Sequence, residues 1–191
     1  MTLPSFTIRN ITIPTPIIQG GMGIGYANYK LAGTVAKNGA LGIISSAALD
    51  RVVGARVGEK FKARAACARE VQDAKELSGG KPIGMNIMVA TVNQYEDSVL
   101  GSMDGGVDVI ISGAGLPLKL PAIAETHPRK DEVALVPIVS SARALKIIIR
   151  KWGKYNRLPD AVVVEGPLAG GHIGWANKEE ALSEKNTLEN L

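Results

Sequence analysis

The chain is poor in aromatic side chains and in cysteine. Two Phe, four Tyr and two Trp among 191 residues cannot build an aromatic core, so burial must rest on Ala, Val, Ile and Leu. A single Cys excludes an internal disulfide and gives no reason to expect secretion. No uninterrupted apolar run reaches the roughly 18 residues of a membrane span, and the opening MTLPSFTIRNITIPTP lacks the apolar stretch of a signal peptide. Cytoplasmic residence is therefore the expectation, with no membrane partner. A net charge of +4 is too mild to demand nucleic acid. There is no CxxC, no HExxH and no cluster of His, Cys and carboxylates, so no metal site is expected.

What the chain has in quantity is glycine, 22 residues, and short β-branched runs. Apolar, strand-length runs fall at 16–19, 41–44, 83–89, 107–111, 133–139 and 161–164, each bounded by Gly, Pro or Asp. Helical patterns lie between them, over 27–38, 59–77, 93–103, 116–125 and 141–152. In the first, Ala27, Leu31 and Val35 share one face and Asn38-Gly39 signals the end. In the second, Cys67, Val71 and Ala74 share a face, which makes Cys67 a packed core residue rather than a nucleophile. Six strands, each followed by a helix or helix-sized connector, form a βα repeat with a parallel sheet covered on both sides. An open doubly wound sheet and part of a (β/α)8 barrel both satisfy this spacing. No linker divides the chain, so 1–191 reads as a single domain.

Two glycine-rich segments stand at strand ends. Ile18-Gln19-Gly20-Gly21-Met22-Gly23-Ile24-Gly25 follows the first strand, and its glycines let backbone N–H groups approach a ligand. It lacks the third glycine of a dinucleotide fingerprint, and an unliganded tight turn accounts for it equally well. Glu165-Gly166-Pro167-Leu168-Ala169-Gly170-Gly171-His172-Ile173-Gly174 follows the last strand. A His on a glycine-lined loop at the C-terminal end of a parallel strand stands where such folds place catalytic groups. The other His, His127, lies in a polar connector and reads as solvated. Asn86 is an amide in an apolar strand and needs a partner inside, either backbone or ligand. Arg143, Lys146, Arg150, Lys151, Lys154 and Arg157 read as a solvated basic face.

Taken in order, these glycine loops, with Gly39-Ala40-Leu41-Gly42-Ile43-Ile44, Gly84-Met85-Asn86-Ile87-Met88 and Ser112-Gly113-Ala114-Gly115-Leu116-Pro117, resemble the FMN-dependent nitronate monooxygenases, once called 2-nitropropane dioxygenases. They also resemble the flavin-type enoyl-acyl-carrier-protein reductases. The most specific element is A-G-G-H-x-G, residues 169–174. The resemblance implies a TIM (β/α)8-type barrel with FMN at its C-terminal mouth. It implies that Gly21, Met22 and Gly23 form the first flavin-contacting turn and that Asn86 hydrogen-bonds the isoalloxazine or ribityl portion. Glu165 stands at a position that contacts flavin, usually Gln in the monooxygenases and Glu in the reductases. Gly170 allows close approach, the turn at Gly170 and Gly171 supplies N–H donors, and His172 matches the catalytic His.

The expected activity is oxidation of small alkyl nitronates by O2 with His172 as base. The alternative is an FMN and NAD(P)H-dependent enoyl reductase, whose partner is an acyl carrier protein. A barrel of this type takes about 250 residues, and about six of eight βα units are counted here. That count predicts a barrel incomplete at its C-terminus, and a third reading as a non-catalytic fragment that binds flavin weakly or not at all. The sequence leaves a homodimer open.

Overall fold

The computed structural model describes residues 3–170. All six strand runs of the βα pattern enter one parallel array. The core of that array is a five-stranded sheet of β3 (Gly42–Ser45), β4 (Ile83–Met88), β5 (Val109–Gly113), β6 (Ala134–Val139) and β7 (Val163–Val164), hydrogen-bonded in chain order. The first run joins through a single parallel bridge between Ile18 and Leu41. In-order parallel pairing with helical crossovers produces a sheet that curls in one sense, and this one is a half-barrel.

Alternation along the strands assigns the two faces. Ile44, Ile83, Met85, Ile87, Ile110 and Leu135 pack outward with the helices. Ile43, Val109, Ile111 and Val136 pack together on the concave side, as a period of two requires. Six helices cover the described residues: α1 (Tyr29–Lys37), α2 (Leu49–Val57), α3 (Ala63–Ser78), α4 (Tyr95–Asp104), α5 (Leu120–Glu125) and α6 (Ala142–Trp152). None is long and apolar enough to cross a membrane.

Two elements were not legible as such. A hairpin of β1 (Phe6–Ile8) and β2 (Ile11–Ile13) precedes the parallel array, turning at Arg9 in the left-handed region. It buries Ile8, Ile11 and Ile13 against the concave cluster. Helix α2 also lies in what read as a connector; its apolar contribution is little more than Leu49 and Val53, too sparse for a periodic signal.

The helix faces need one correction. In α1 the buried residues are Ala32, Gly33 and Ala36, while Leu31 and Val35 are only half-buried. The reason is proximity. A Cβ on Gly42 would lie 1.9 Å from the Ala32 carbonyl oxygen, and one on Gly33 would meet Ala74 and Leu77 at 3.0 Å. The small residues face inward because sheet and α3 approach too closely for large ones. In α3, Cys67, Val71 and Ala74 are buried as the spacing predicts. Burial pushes the Cys67 thiol up to about 12, which leaves it unreactive near neutrality.

Two polar expectations are overturned. His127 is buried rather than solvated: its Nδ1 accepts from the Arg129 backbone N–H at 3.1 Å, which leaves Nε2–H to donate to Asp104 at 3.1 Å. Arg157 is not part of the solvated basic face. Its guanidinium donates to the Val133 carbonyl at 2.9 Å and to Asp160 at 2.7 Å, tying the α6 exit to the sheet. Arg143, Lys146, Arg150, Lys151 and Lys154 are exposed, as expected of an outer face.

Candidate active site

All parallel strands end on the same side, so the loops that follow them gather at one mouth. The first of these loops, residues 20–28, is shaped from its two ends. The Gln19 N–H donates to Leu41 O at 3.0 Å, and the Gln19 side-chain oxygen accepts from the Ile43 N–H at 3.1 Å. At the far end, Ala27 N–H donates to Met22 O at 2.9 Å and Ser45 N–H donates to Ala27 O at 2.8 Å. Asn28 caps α1 by accepting from the N–H groups of Lys30 and Leu31, and its Nδ2 donates to Gly25 O at 2.9 Å. Between these ties, the backbone N–H groups from Gly20 to Tyr26 donate to no acceptor among the described residues.

The loop lies directly against β4. A Cβ on Gly21 would stand 2.4 Å from the Asn86 Cβ, and one on Gly23 would stand 2.9 Å from Ala47 Cβ and 3.3 Å from Ser45 Oγ. Asn86 alternates with the outward Met85 and Ile87, so it faces the concave side. It is in register with Ser45 on β3 and Ile111 on β5. Its side-chain amide is half-buried and has no hydrogen-bond partner among the described residues. Its backbone oxygen accepts from Ser46 N–H at 3.0 Å, which anchors the strand end but leaves the amide free.

Across the mouth, Glu165 follows β7 with its N–H donated to Val139 O at 2.8 Å, and its carboxylate accepts from Ser140 Oγ at 3.3 Å. On β5 the turn at Ala114 and Gly115 takes positive φ, 52° and 125°, and a Cβ on Gly113 would strike Ile138 Cβ at 2.8 Å. Gly170 is exposed, and a Cβ there would meet nothing within 4 Å among the described residues. Gly171 and His172 lie outside the described residues.

Thus Gly21, Gly23 and Asn86 are brought together, Met22 is 52% exposed on the same loop, and Glu165 follows β7, separated from β4 by β5 and β6. Sequence reasoning missed the serines at strand ends, Ser45 and Ser140, both nearly buried. The signal was present in the pairs Ser45-Ser46 and Ser140-Ser141, each directly after an apolar run.

An unpartnered amide in a concave site, beside a glycine segment whose N–H groups have no acceptor, fits a flat ligand with polar edges. Bare consecutive amides hold carbonyl or anionic oxygens, and the missing side chain at Gly21 lets the loop bring them against Asn86. An isoalloxazine has both requirements, a planar body and a rim of acceptors and donors. Among the described residues no group of His, Cys, Asp and Glu could hold a metal ion.

The fold is an α/β half-barrel with a candidate site on the loops after its parallel strands. A family model for nitronate monooxygenase matches residues 5–191, and the chain belongs to that family. Membership makes it a flavin-dependent oxidoreductase of the nitronate monooxygenase family, one that generally uses FMN. No curated protein matches the chain.

Proposed function

We propose that this protein oxidises alkyl nitronates with O2 on bound FMN, within a barrel of the TIM type. The family match over residues 5–191 carries this reading, and the bare amides of the first loop against the free Asn86 amide support it. FMN supplies electron transfer and reactivity towards O2 when bound. The protein must then hold the flavin, orient the substrate and manage a proton.

Gly21, Met22 and Gly23 would present backbone N–H groups to the flavin, with Asn86 offering one donor pair and one acceptor from the neighbouring strand. Glu165, steadied by Ser140, borders the mouth from the opposite side. Gly170 and Gly171 would offer N–H groups to the anionic nitronate oxygens. His172 would take the proton from the carbon beside the nitro group of a neutral nitroalkane, or as the imidazolium hold the nitronate that arrives ionised.

The visible spectrum of the purified protein tests the cofactor directly: flavin bands are expected, and their absence after incubation with excess FMN overturns the reading. His172→Ala should abolish O2 uptake with a nitronate while the flavin bands remain. Turnover that survives this substitution removes His172 from its role.

Glu165 favours a second reading, because a glutamate at this position is the reductase feature of the resemblance. In that reading NAD(P)H and an enoyl thioester carried on an acyl carrier protein are the substrates. NADH consumption that depends on the enoyl substrate, without O2 uptake on nitronate, would select it.

A further inference from the structure

Helix α3 presents an apolar face of Ala66, Cys67, Val71 and Ala74, yet one carboxylate, Glu70, is buried among them with a side chain 0% exposed. Burying a carboxylate is costly unless its oxygens are engaged. One oxygen, Oε1, accepts from the backbone N–H of Tyr29 at 2.8 Å, across 41 residues of sequence. The other, Oε2, meets the Arg56 guanidinium at 3.0 Å as an ion pair. Arg56 in turn stacks 4.2 Å over the Tyr29 ring and pairs with Asp73 at 2.6 Å. Burial raises the Glu70 carboxyl above the usual range, and the Tyr29 N–H and Arg56 act against that rise.

Tyr29 is the first residue of α1, where the glycine loop ends. The next two N–H groups, of Lys30 and Leu31, are already taken by Asn28. The loop itself, residues 20–26, has amides that donate to no acceptor among the described residues, and four glycines with little conformational preference of their own. Its shape is therefore imposed by its attachments, and the Tyr29 attachment is the one made by a distant, buried charge.

We propose that Glu70 is the positioning residue of the glycine loop: by holding the Tyr29 N–H it sets where the loop ends and so where its bare amides stand. The link from loop to flavin rests on the proposed function above; the link from Glu70 to loop does not. A carboxylate fits this place better than an apolar residue because the positive end of α1 needs an acceptor that solvent cannot supply there.

The test uses chymotrypsin on the flavin-free protein, read by mass for cleavage after Tyr26, which is 76% exposed in the loop, together with titration of FMN. Glu70→Ala should cleave there about tenfold faster, and bind FMN about tenfold more weakly, as loss of one hydrogen bond to a charged group implies. Glu70→Gln keeps an acceptor for Tyr29 and should restore both to within about threefold of wild type. Val71→Ala, on the same buried helix face, controls for general destabilisation: it should lower Tm without faster cleavage after Tyr26.

Cleavage of Glu70→Ala no faster than that of Val71→Ala overturns the proposal, as does a Glu70→Gln loop as loose as that of Glu70→Ala. Fast cleavage with unchanged FMN binding keeps the tether and overturns the assignment of the loop to flavin. Should Glu70→Ala not fold, hydrogen exchange in the wild-type protein decides. The Tyr29 amide, at a helix start where exchange is ordinarily fast, should be protected like the interior of α1; fast exchange overturns the tether.

Discussion

At the scale of single residues, the contrast between Gly21 and Asn86 separates binding from stability. Asn86 has an amide without a partner among the described residues, so Asn86→Ala removes no hydrogen bond the described fold uses, and Tm should hold or change little. Flavin affinity should fall about tenfold, the worth of one or two hydrogen bonds in a sheltered site. Gly21→Ala places a methyl group 2.4 Å from the Asn86 Cβ and must push the loop off the strand. Both Tm and flavin affinity should drop, measured by thermal melting and quenching of flavin fluorescence. If Asn86→Ala lowers Tm as much as Gly21→Ala does, the amide has a structural role the free side chain does not reveal. These two positions were legible in the sequence, the glycine from its place at a strand end and the amide from its apolar setting. Their contact was not, because it depends on the loop after the first parallel segment reaching past β3 to β4.

A second residue-scale prediction concerns acid stability. Hydrogen bonding from the Arg64 guanidinium, then from His127, holds the Asp104 carboxyl below its usual range against the opposing effect of burial. A depressed value in the folded state means stabilisation that is complete above the unfolded value, about 3.9, and lost as pH falls through the folded one. Asp104→Asn should therefore lower stability at pH 7 and flatten the acid limb of a urea-denaturation series against pH. An unchanged acid limb would show that the Arg64 contact, which is partly exposed, contributes nothing measurable.

At the scale of elements, close approach explains what periodicity could not. Gly101 in α4 has no room for a side chain: a Cβ would lie 2.1 Å from the Arg64 carbonyl oxygen of α3. In an isolated helix Gly→Ala stabilises by about 1 kcal/mol, but here the backbone contact reverses the sign. Gly101→Ala should destabilise by about 2 kcal/mol or more, through separation of α3 and α4, read by urea denaturation. A gain in stability would show that the two helices can separate without cost. The same reasoning accounts for α1, where the small residues, not Leu31 and Val35, face inward. Helix α5 is confined to Leu120–Glu125, shorter than the pattern over 116–125 suggests, with Pro117 just ahead of it and Pro121 in its first turn. The Trp152 indole N–H donates to the Pro117 carbonyl at 3.0 Å, which seats the end of α6 on that turn.

At the scale of the whole molecule, the β1–β2 hairpin closes the concave cluster from one side while the strand-end loops form the mouth at the other. Ile8, Ile11 and Ile13 are 4%, 9% and 1% exposed, and each fully buried Ile contributes about 2 kcal/mol. Their sum rivals the net stability of a typical domain. Deleting residues 1–14 should therefore expose Ile43, Val109 and Ile111 and convert a cooperative melt into a broad one with dye-binding apolar surface. A sharp melt at the wild-type temperature would mean that the concave cluster closes without the hairpin. The basic outer face of α6 lies on the side of the sheet away from this interior, and its charges are solvated there.

The βα alternation and the parallel sense of the strands were determined by the sequence alone, while spacing left two strand orders open and only the family resemblance pointed to the in-order pairing seen in the sheet. A chain of β-branched runs spaced by helix-length segments has few other ways to bury itself, and glycines at strand ends mark the mouth. The motifs were also enough to indicate the nitronate monooxygenase family. Only the tertiary structure decided which small residues mark close packing, that His127 and Arg157 are internal ties, and that Glu70 reaches the start of α1. Those facts depend on distances between residues remote in sequence. A buried charge has no periodic signature: along α3, Glu70 reads like any exposed glutamate until Tyr29 and Arg56 are brought against it.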